Sequence, residues 1–104
     1  MPVKSVEESL YTYAEEPITI DGTVGGIRLT LSNLYAVPPP RKVEIFVDSA
    51  PLRFRVDGGA PTSTVGEILN PRDRMNIWNR NDMENFRGIR TGGTSATLRV
   101  RWKR

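Results

Sequence analysis

Two stretches of the C-terminal half, LRFRVDGG at residues 52–59 and ATLRVRW at residues 96–102, decide the fold class of this chain. In both, apolar residues alternate with arginines at every second position. Successive side chains of a β-strand point to opposite faces of a sheet, so this period of two predicts half-buried antiparallel strands with a cationic outer face. The arginines on that outer face are Arg53, Arg55, Arg99 and Arg101.

Further short alternating runs, separated by glycine- and proline-rich turns, fill most of the remaining sequence. We expect strands near residues 17–21, 27–32, 43–47, 52–56, 65–69, 75–78, 86–90 and 96–102, and one helical turn at 81–84 capped by Asn81. The first two runs, and the last two, are expected to pair as hairpins around glycine turns. This spacing is typical of an all-β fold: a single antiparallel β-sandwich, of either jelly-roll or immunoglobulin-like type.

The length of 104 residues fits one domain, which we divide into two parts. Residues 1–16 are expected to form an extended N-terminal arm, and residues 17–104 the β-sandwich. The arm offers Leu10, Tyr11 and Tyr13 as anchors. Such an arm can dock on a neighbouring protein, although frayed termini are also common.

The composition argues against most enzyme mechanisms. The chain has no Cys and no His, which removes thiolate nucleophiles, zinc–thiolate sites and the usual general base at neutral pH. Asp82 and Glu84 are the nearest approach to a carboxylate pair, and helix capping and ion pairing explain both. We therefore expect no catalytic residue, no metal ligand and no cofactor. Without an apolar leader or membrane run, we also expect synthesis in a cytoplasm and no membrane partner.

Charge is distributed unevenly along the sequence. The net charge is +3, but residues 1–48 carry four basic and seven acidic side chains, whereas residues 49–104 carry eleven basic and five acidic ones. Arginine, which supplies twelve of the fifteen cations, favours planar pairing with carboxylates and phosphates. An arginine-rich strand face therefore suits a defined interface, although a merely solvated face is the other reading.

Two ligand classes compete with a protein partner. Nucleic acid would suit the four strand arginines if they lay on adjacent strands, but Trp102 shares the parity of core residues, so the surface lacks stacking aromatics. A carbohydrate would need an exposed aromatic face, for which Trp78 between Asn76 and Asn79 is the candidate, although a core position is commoner for a strand tryptophan. Nucleic acid is the weaker of the two.

Within residues 50–102, the stretches RFRVDGGAPTSTVGEIL, NFRGIR and TGGTSATLRV resemble a family of small tailed-phage virion proteins. That family consists of short, cysteine-poor β-sandwich proteins that serve as auxiliary capsid or head–tail components. RFRVDGGAPT also resembles small immunoglobulin-like modules appended to chitin-degrading enzymes.

The first resemblance implies a non-enzymatic structural subunit located in the virion, such as a capsid decoration, neck or tail-associated protein. Its expected partners are capsid, portal or tail subunits and further copies of itself. The residues expected to make these contacts are Leu10, Tyr11, Tyr13, Arg53, Arg55, Arg99 and Arg101.

Overall fold

The computed structural model describes residues 10–104, which form two antiparallel sheets and two short helices. In chain order the elements are β1 (Thr12–Ile20), α1 (Leu31–Leu34), β2 (Lys42–Val47), β3 (Leu52–Arg55), β4 (Glu67–Leu69), β5 (Arg74–Ile77), α2 (Arg80–Asn85), β6 (Arg87–Arg90) and β7 (Ala96–Lys103). Neither helix in this part of the chain is long and apolar enough to cross a bilayer.

The strands form two sheets that pack on each other. The four-stranded sheet, here called sheet A, has the order β1-β7-β2-β5, and the three-stranded sheet B has the order β4-β3-β6. All pairings are antiparallel. The predicted all-β sandwich is confirmed, and the choice between jelly-roll and immunoglobulin-like types stays a prediction.

Alternation along the strands builds one core between the sheets. Leu98, Val100 and Trp102 of β7 are fully buried, and so is Leu52 of β3. The ring of Phe54, also on β3, stacks on that of Phe86 with 5.7 Å between ring centroids. The inward parity predicted for β3 and β7 is therefore correct, and burial of these large side chains supplies most of the driving force for folding.

The expected first hairpin does not form. After β1, Gly25 and Gly26 adopt positive φ values of 93° and 83°, which glycine tolerates at no steric cost. The chain then runs beside sheet B, where Ile27 makes an isolated bridge to Gly88, and Leu31 begins α1 instead of ending a strand. The alternation at residues 27–32 therefore does not pair with β1, which pairs with β7 instead, and its one bridge is to β6 of sheet B.

The expected closing hairpin is also wrong. The strands β6 and β7 both exist, but β6 pairs with β3 in sheet B while β7 pairs with β1 and β2 in sheet A. The glycine turn at residues 91–94 therefore carries the chain from one sheet to the other. In α2, the N-cap is Asn79, whose side chain accepts a hydrogen bond from the Asp82 amide, so the cap lies two residues before the predicted Asn81.

The predicted boundary between arm and sandwich is corrected. Because β1 begins at Thr12, residues 12–16 belong to sheet A, where Glu15 lies opposite Arg101 and Glu16 opposite Val100. Strand pairing with β7 satisfies the backbone of this segment, which a sequence pattern of glutamates and tyrosines does not reveal. Residues 1–9 of the predicted arm lie outside the described residues.

Candidate functional site

The two arginine pairs predicted to form one surface lie on opposite sides of the molecule. Arg53 and Arg55 project from the outer face of sheet B, and Arg99 and Arg101 from the outer face of sheet A, because the residues between them fill the shared core. A continuous phosphate-facing surface made of all four is therefore excluded. Trp102, fully buried, offers no stacking surface, as its parity predicts.

Arg53 is engaged by its own chain. Its guanidinium donates from Nε to the carbonyl of Ser63 at 3.0 Å and from Nη1 to the carbonyl of Gly66 at 2.8 Å. Gly66 has a φ of 123°, and a Cβ there would lie 2.9 Å from the carbonyl oxygen of Phe54. Arg53 thus holds the long loop after β3 against sheet B, at a point where only glycine fits.

Arg55 is likewise committed locally. Its Nε and Nη2 donate to the two carboxylate oxygens of Asp57 at 3.0 and 2.6 Å, a bidentate arrangement. Asp57 also accepts from the amide of Gly59 at 3.0 Å. The hydrogen bonds from Arg55 and then from Gly59 lower the pKa of Asp57 from 3.8 to about 2. Both predicted contact arginines on the outer face of sheet B therefore bind the segment that follows β3: Arg53 binds loop carbonyls, and Arg55 binds the turn at Asp57.

The outer face of sheet A, here called the sheet A face, carries its side chains in transverse rows. Strand registers align four outward residues, one from each strand, in two successive rows. The first row is Glu15, Arg101, Glu44 and Asn76; the second row is Pro17, Arg99, Phe46 and Arg74. All of these residues except Pro17 line a shallow depression of about 410 Å³.

Arg99 and Arg101 reach carboxylates near neighbouring strands. Arg99 Nε donates to Asp48 at 3.2 Å, and Arg101 Nε donates to Glu15 at 3.4 Å. Both guanidiniums are more than half exposed. Within residues 10–104, no hydrogen bond uses their terminal Nη groups, so the described residues leave these donors available to a partner.

Glu44 lies at the centre of the sheet A face. Its Oε1 lies 3.1 Å from the ammonium of Lys42 and 3.2 Å from that of Lys103. Partial burial raises the pKa of Glu44, but hydrogen bonds and charge from the two lysines outweigh it, and the pKa falls below 4.5. Glu44 therefore stays ionised at neutral pH and fixes both lysines beside it.

Two aromatic rings border these charges. The guanidinium of Arg74 lies 5.1 Å from the centroid of the half-buried Phe46 ring. Trp78 follows β5 directly, is 47% exposed, and has the buried Lys42 ammonium 4.8 Å from its ring centroid. Trp78 is thus a surface residue rather than the core residue that the sequence favours.

The predicted N-terminal anchors pack mainly against their own domain. Leu10 is buried, and Tyr11 exchanges backbone hydrogen bonds with Arg104 while 58% of its surface stays exposed. The Tyr13 hydroxyl donates to the carbonyl of Asn33 at 2.9 Å, and burial raises its pKa. The Arg104 guanidinium covers the Tyr13 ring at 4.1 Å. Of the three, only Tyr11 presents an exposed ring.

Sequence reasoning missed half of the sheet A face. Glu44, Phe46, Arg74 and Asn76 were not expected to join Arg99 and Arg101. The signal for β2 was present, since the inward parity of residues 43, 45 and 47 implies that 44 and 46 point outward. The alternation of apolar and polar residues does not give the order of the strands in the sheet. Only that order places β2 next to β7 and β5 next to β2.

Within residues 10–104, no group of three or more His, Cys, Asp or Glu side chains is arranged to hold a metal ion. The sheet A face instead offers guanidinium donors, carboxylate acceptors and aromatic rings, which is the chemistry of recognition. Comparison with known proteins found no matching family model, curated protein or solved structure.

Proposed function

We propose that this chain is a non-enzymatic structural subunit of a bacteriophage particle, which assembles through protein–protein contacts made by the sheet A face. One observation carries the assembly role: Arg99 and Arg101 project from a strand bordered on both sides, with their Nη donors unused within the described residues. The phage assignment is supported by the resemblance of residues 50–102 to small virion proteins.

The composition of the sheet A face favours a protein partner. Arginine and aromatic residues are enriched at protein interfaces and among the residues that dominate binding energy. Here Arg74 and Arg99 flank the ring of Phe46 in one row, and Arg101 lies between Glu15 and Glu44 in the next. Mixed charges in fixed positions set the register and selectivity of a contact more than its affinity.

The direct test is the composition of purified particles. Phage particles released by the genome that encodes the chain would be purified by density gradient and analysed by quantitative mass spectrometry, with immunogold labelling to locate the protein. We expect a fixed ratio of the chain to the major capsid protein. Absence from intact particles, with the chain present in the lysate, would rule out the structural role.

A carbohydrate-binding function is the second candidate, and the exposure of Trp78 favours it. Trp78 lies two residues after Asn76, directly after β5, and the Lys42 ammonium lies 4.8 Å from its ring centroid. Tryptophan fluorescence during titration with chitin and bacterial surface oligosaccharides tests this candidate. A Trp78→Phe variant is the control, because it leaves only the buried Trp102 to report. An unchanged wild-type signal eliminates the candidate.

A further inference from the structure

The sheet A face has a charge pattern that is complementary to itself. Its two middle strands, β7 and β2, place Arg101 beside Glu44 in one row and Arg99 beside Phe46 in the next. If a second copy is turned over about an axis that runs parallel to the strands, between β7 and β2, each row meets the same row of the other copy. Each outward residue of β7 in one copy then faces, in the other copy, the β2 residue that is its partner in the strand register.

From this geometry we infer that the partner of the sheet A face is a second copy of the chain, packed face to face about that two-fold axis. Arg101 of each copy then faces Glu44 of the other, and Arg99 faces the Phe46 ring. These are an ion pair and a cation–π contact, and each occurs twice because the interface is isologous. The inference rests on the proposed function, since it names the partner for the same face.

The alternative in-plane axis gives the opposite electrostatics. An axis perpendicular to the strands and centred on the first row sets Arg101 against its own copy and Arg99 against Lys103. Like charges placed directly opposite each other disfavour that arrangement. The selected arrangement also sets one pair of like charges face to face, Lys103 against Lys42 of the other copy, but Glu44 lies 3.1 and 3.2 Å from these two ammonium groups and offsets their charge. With that pair offset, the charges favour the first of the two ways of stacking these sheets.

The donors and acceptors needed for the selected arrangement are present. Among residues 10–104, the hydrogen bonds of Arg99 and Arg101 are made through Nε alone, so their Nη groups can reach the other copy. In the described part of the chain, Glu44 contacts both lysines through Oε1, so Oε2 can accept from the second copy's Arg101. The new ion pair therefore breaks none of the contacts of the described residues, and the Phe46 ring, which already has the Arg74 guanidinium 5.1 Å from its centroid, gains a second cation.

The area of the sheet A face determines how tightly two copies are expected to bind each other. Four strands about 4.8 Å apart, over about six residues of 3.3 Å each, cover on the order of 400 Å² per copy. A standard stable interface buries about 800 Å² per partner, so this contact is small. We expect a weak dimer, with a Kd on the order of 100 µM, that becomes populated where many copies are held close together, as on a particle.

Sedimentation equilibrium of the full chain up to about 1 mM tests the inference, because a Kd of about 100 µM gives mostly dimer there. We expect a monomer–dimer equilibrium that weakens with added salt. The variant Arg99→Ala/Arg101→Ala should raise the Kd at least tenfold. The control, Arg53→Ala/Arg55→Ala, removes the same charge from the opposite sheet and should leave the Kd unchanged. A strict monomer at about 1 mM, or equal effects of both variants, overturns the inference.

A distance measurement checks the geometry without relying on either variant. Because the chain has no cysteine, Thr97→Cys and Ile68→Cys each provide one site for a spin label, on the outer faces of sheet A and sheet B respectively. Packed sheets lie about 10 Å apart, so in the dimer the two 97 positions should be roughly 10 Å apart and the two 68 positions roughly 30 Å, before the label linkers are added. A short distance from position 68 instead of 97 contradicts the assigned face.

The two proposals fail separately. Particles that contain the chain, together with a strictly monomeric pure protein, retain the proposed function and overturn self-association through the sheet A face. A dimer that meets both tests, together with particles that lack the chain, retains the dimer and overturns the virion role.

Discussion

The strands β3 and β7 carry almost the same sequence, LRFR at residues 52–55 and LRVR at residues 98–101, and use their arginines differently. On β3, Arg53 and Arg55 bind the loop that follows the strand. On β7, Arg99 and Arg101 reach carboxylates near other strands of the sheet and keep donors free of partners in the described chain. An alternating arginine pattern therefore predicts a strand face, whereas the neighbouring chain decides whether that face is structural or available.

The difference arises from the residues that lie next to the outward face of each strand. After β3, eleven residues pass before β4 begins, and this loop folds back so that its carbonyl groups meet Arg53. β7 lies between β1 and β2, so its outward side chains have residues of these strands, and Asp48 directly after β2, beside them. We infer that β3 stabilises the monomer through its arginines and that β7 serves contacts with other molecules.

Removing an inward aromatic residue from either β3 or β7 should give the largest loss in the free energy of unfolding. Trp102→Ala removes a fully buried ring from β7 and should lower the free energy of unfolding by about 4 kcal/mol. Phe54→Ala on β3 should cost about 3 kcal/mol. Urea unfolding followed by circular dichroism measures both. A loss below about 1 kcal/mol for either strand would contradict the shared core.

Trp102→Phe is the matched control for the first variant. The indole Nε1 of Trp102 is buried and has no hydrogen-bond partner among the described residues. Because an unsatisfied buried donor is itself costly, phenylalanine should recover a large part of the stability that alanine loses. A phenylalanine variant as unstable as alanine would show that the indole shape, rather than apolar volume, holds the sheets together.

The next effect concerns the charge at the centre of the sheet A face. Glu44→Gln removes the carboxylate that faces the fully buried Lys42 and the partly buried Lys103. Breaking a buried ion pair on one side is destabilising, and we expect a loss on the order of 2 kcal/mol. Glu15→Gln, which affects only an exposed pair with Arg101, is the control and should change stability by less than about 0.5 kcal/mol. Equal losses would show that the burial of Lys42 does not matter.

The sequence predicts the class of the fold and the direction of most strand side chains, because both follow from local alternation. It does not predict pairing. The alternating run at residues 27–32 looks like a strand, yet it forms only the bridge at Ile27, and the run at 86–90 joins a different sheet from the run at 96–102. Pairing depends on contacts between residues far apart in sequence, which periodicity does not encode.

The candidate site shows the same limit. Arg99 and Arg101 were identified from parity, and their outward direction is as expected. Their neighbours Glu44 and Phe46 come from β2, more than fifty residues earlier, and only the strand register places them together. A core position is the commoner one for a strand tryptophan, but Trp78, the candidate for a carbohydrate contact, follows the last residue of β5 and lies on the surface.

A direct comparison of Arg53→Ala with Arg99→Ala tests whether the arginine of β3 stabilises the fold more than the arginine of β7 does. Arg53→Ala loses two charge-assisted hydrogen bonds to loop carbonyls and should cost about 1 kcal/mol. Arg99→Ala loses one exposed ion pair and should cost less than about 0.5 kcal/mol. Limited proteolysis provides a second readout, because only Arg53→Ala should speed cleavage within residues 56–66. Similar cleavage in both variants would contradict the structural role of Arg53.

The smallest expected effect is the pH dependence contributed by the turn after β3. The pKa of Asp57 is lowered from 3.8 to about 2 in the folded protein by hydrogen bonds from Arg55 and the Gly59 amide. Because the folded pKa lies below the unfolded value, the carboxylate contributes stability above pH 3.8, and this contribution disappears as the pH falls from 3.8 to about 2. The pair is exposed, so the contribution is small.

Acid titration of the wild type alone does not isolate this contribution, since the pKa values of Glu44 and Asp21 are also lowered and both lose their charge in overlapping ranges. The informative quantity is the difference in unfolding free energy between the wild type and Asp57→Asn, measured by urea unfolding at several pH values. That difference should be constant above pH 3.8 and should shrink as the pH falls towards 2, because Asp57 is then protonated in the unfolded state and increasingly protonated in the folded state. A difference that stays constant down to pH 2 would mean that the carboxylate of Asp57 adds no charge-dependent stability. The turn would then be held by its backbone geometry, and Arg55 would be as available to a partner as Arg99 is.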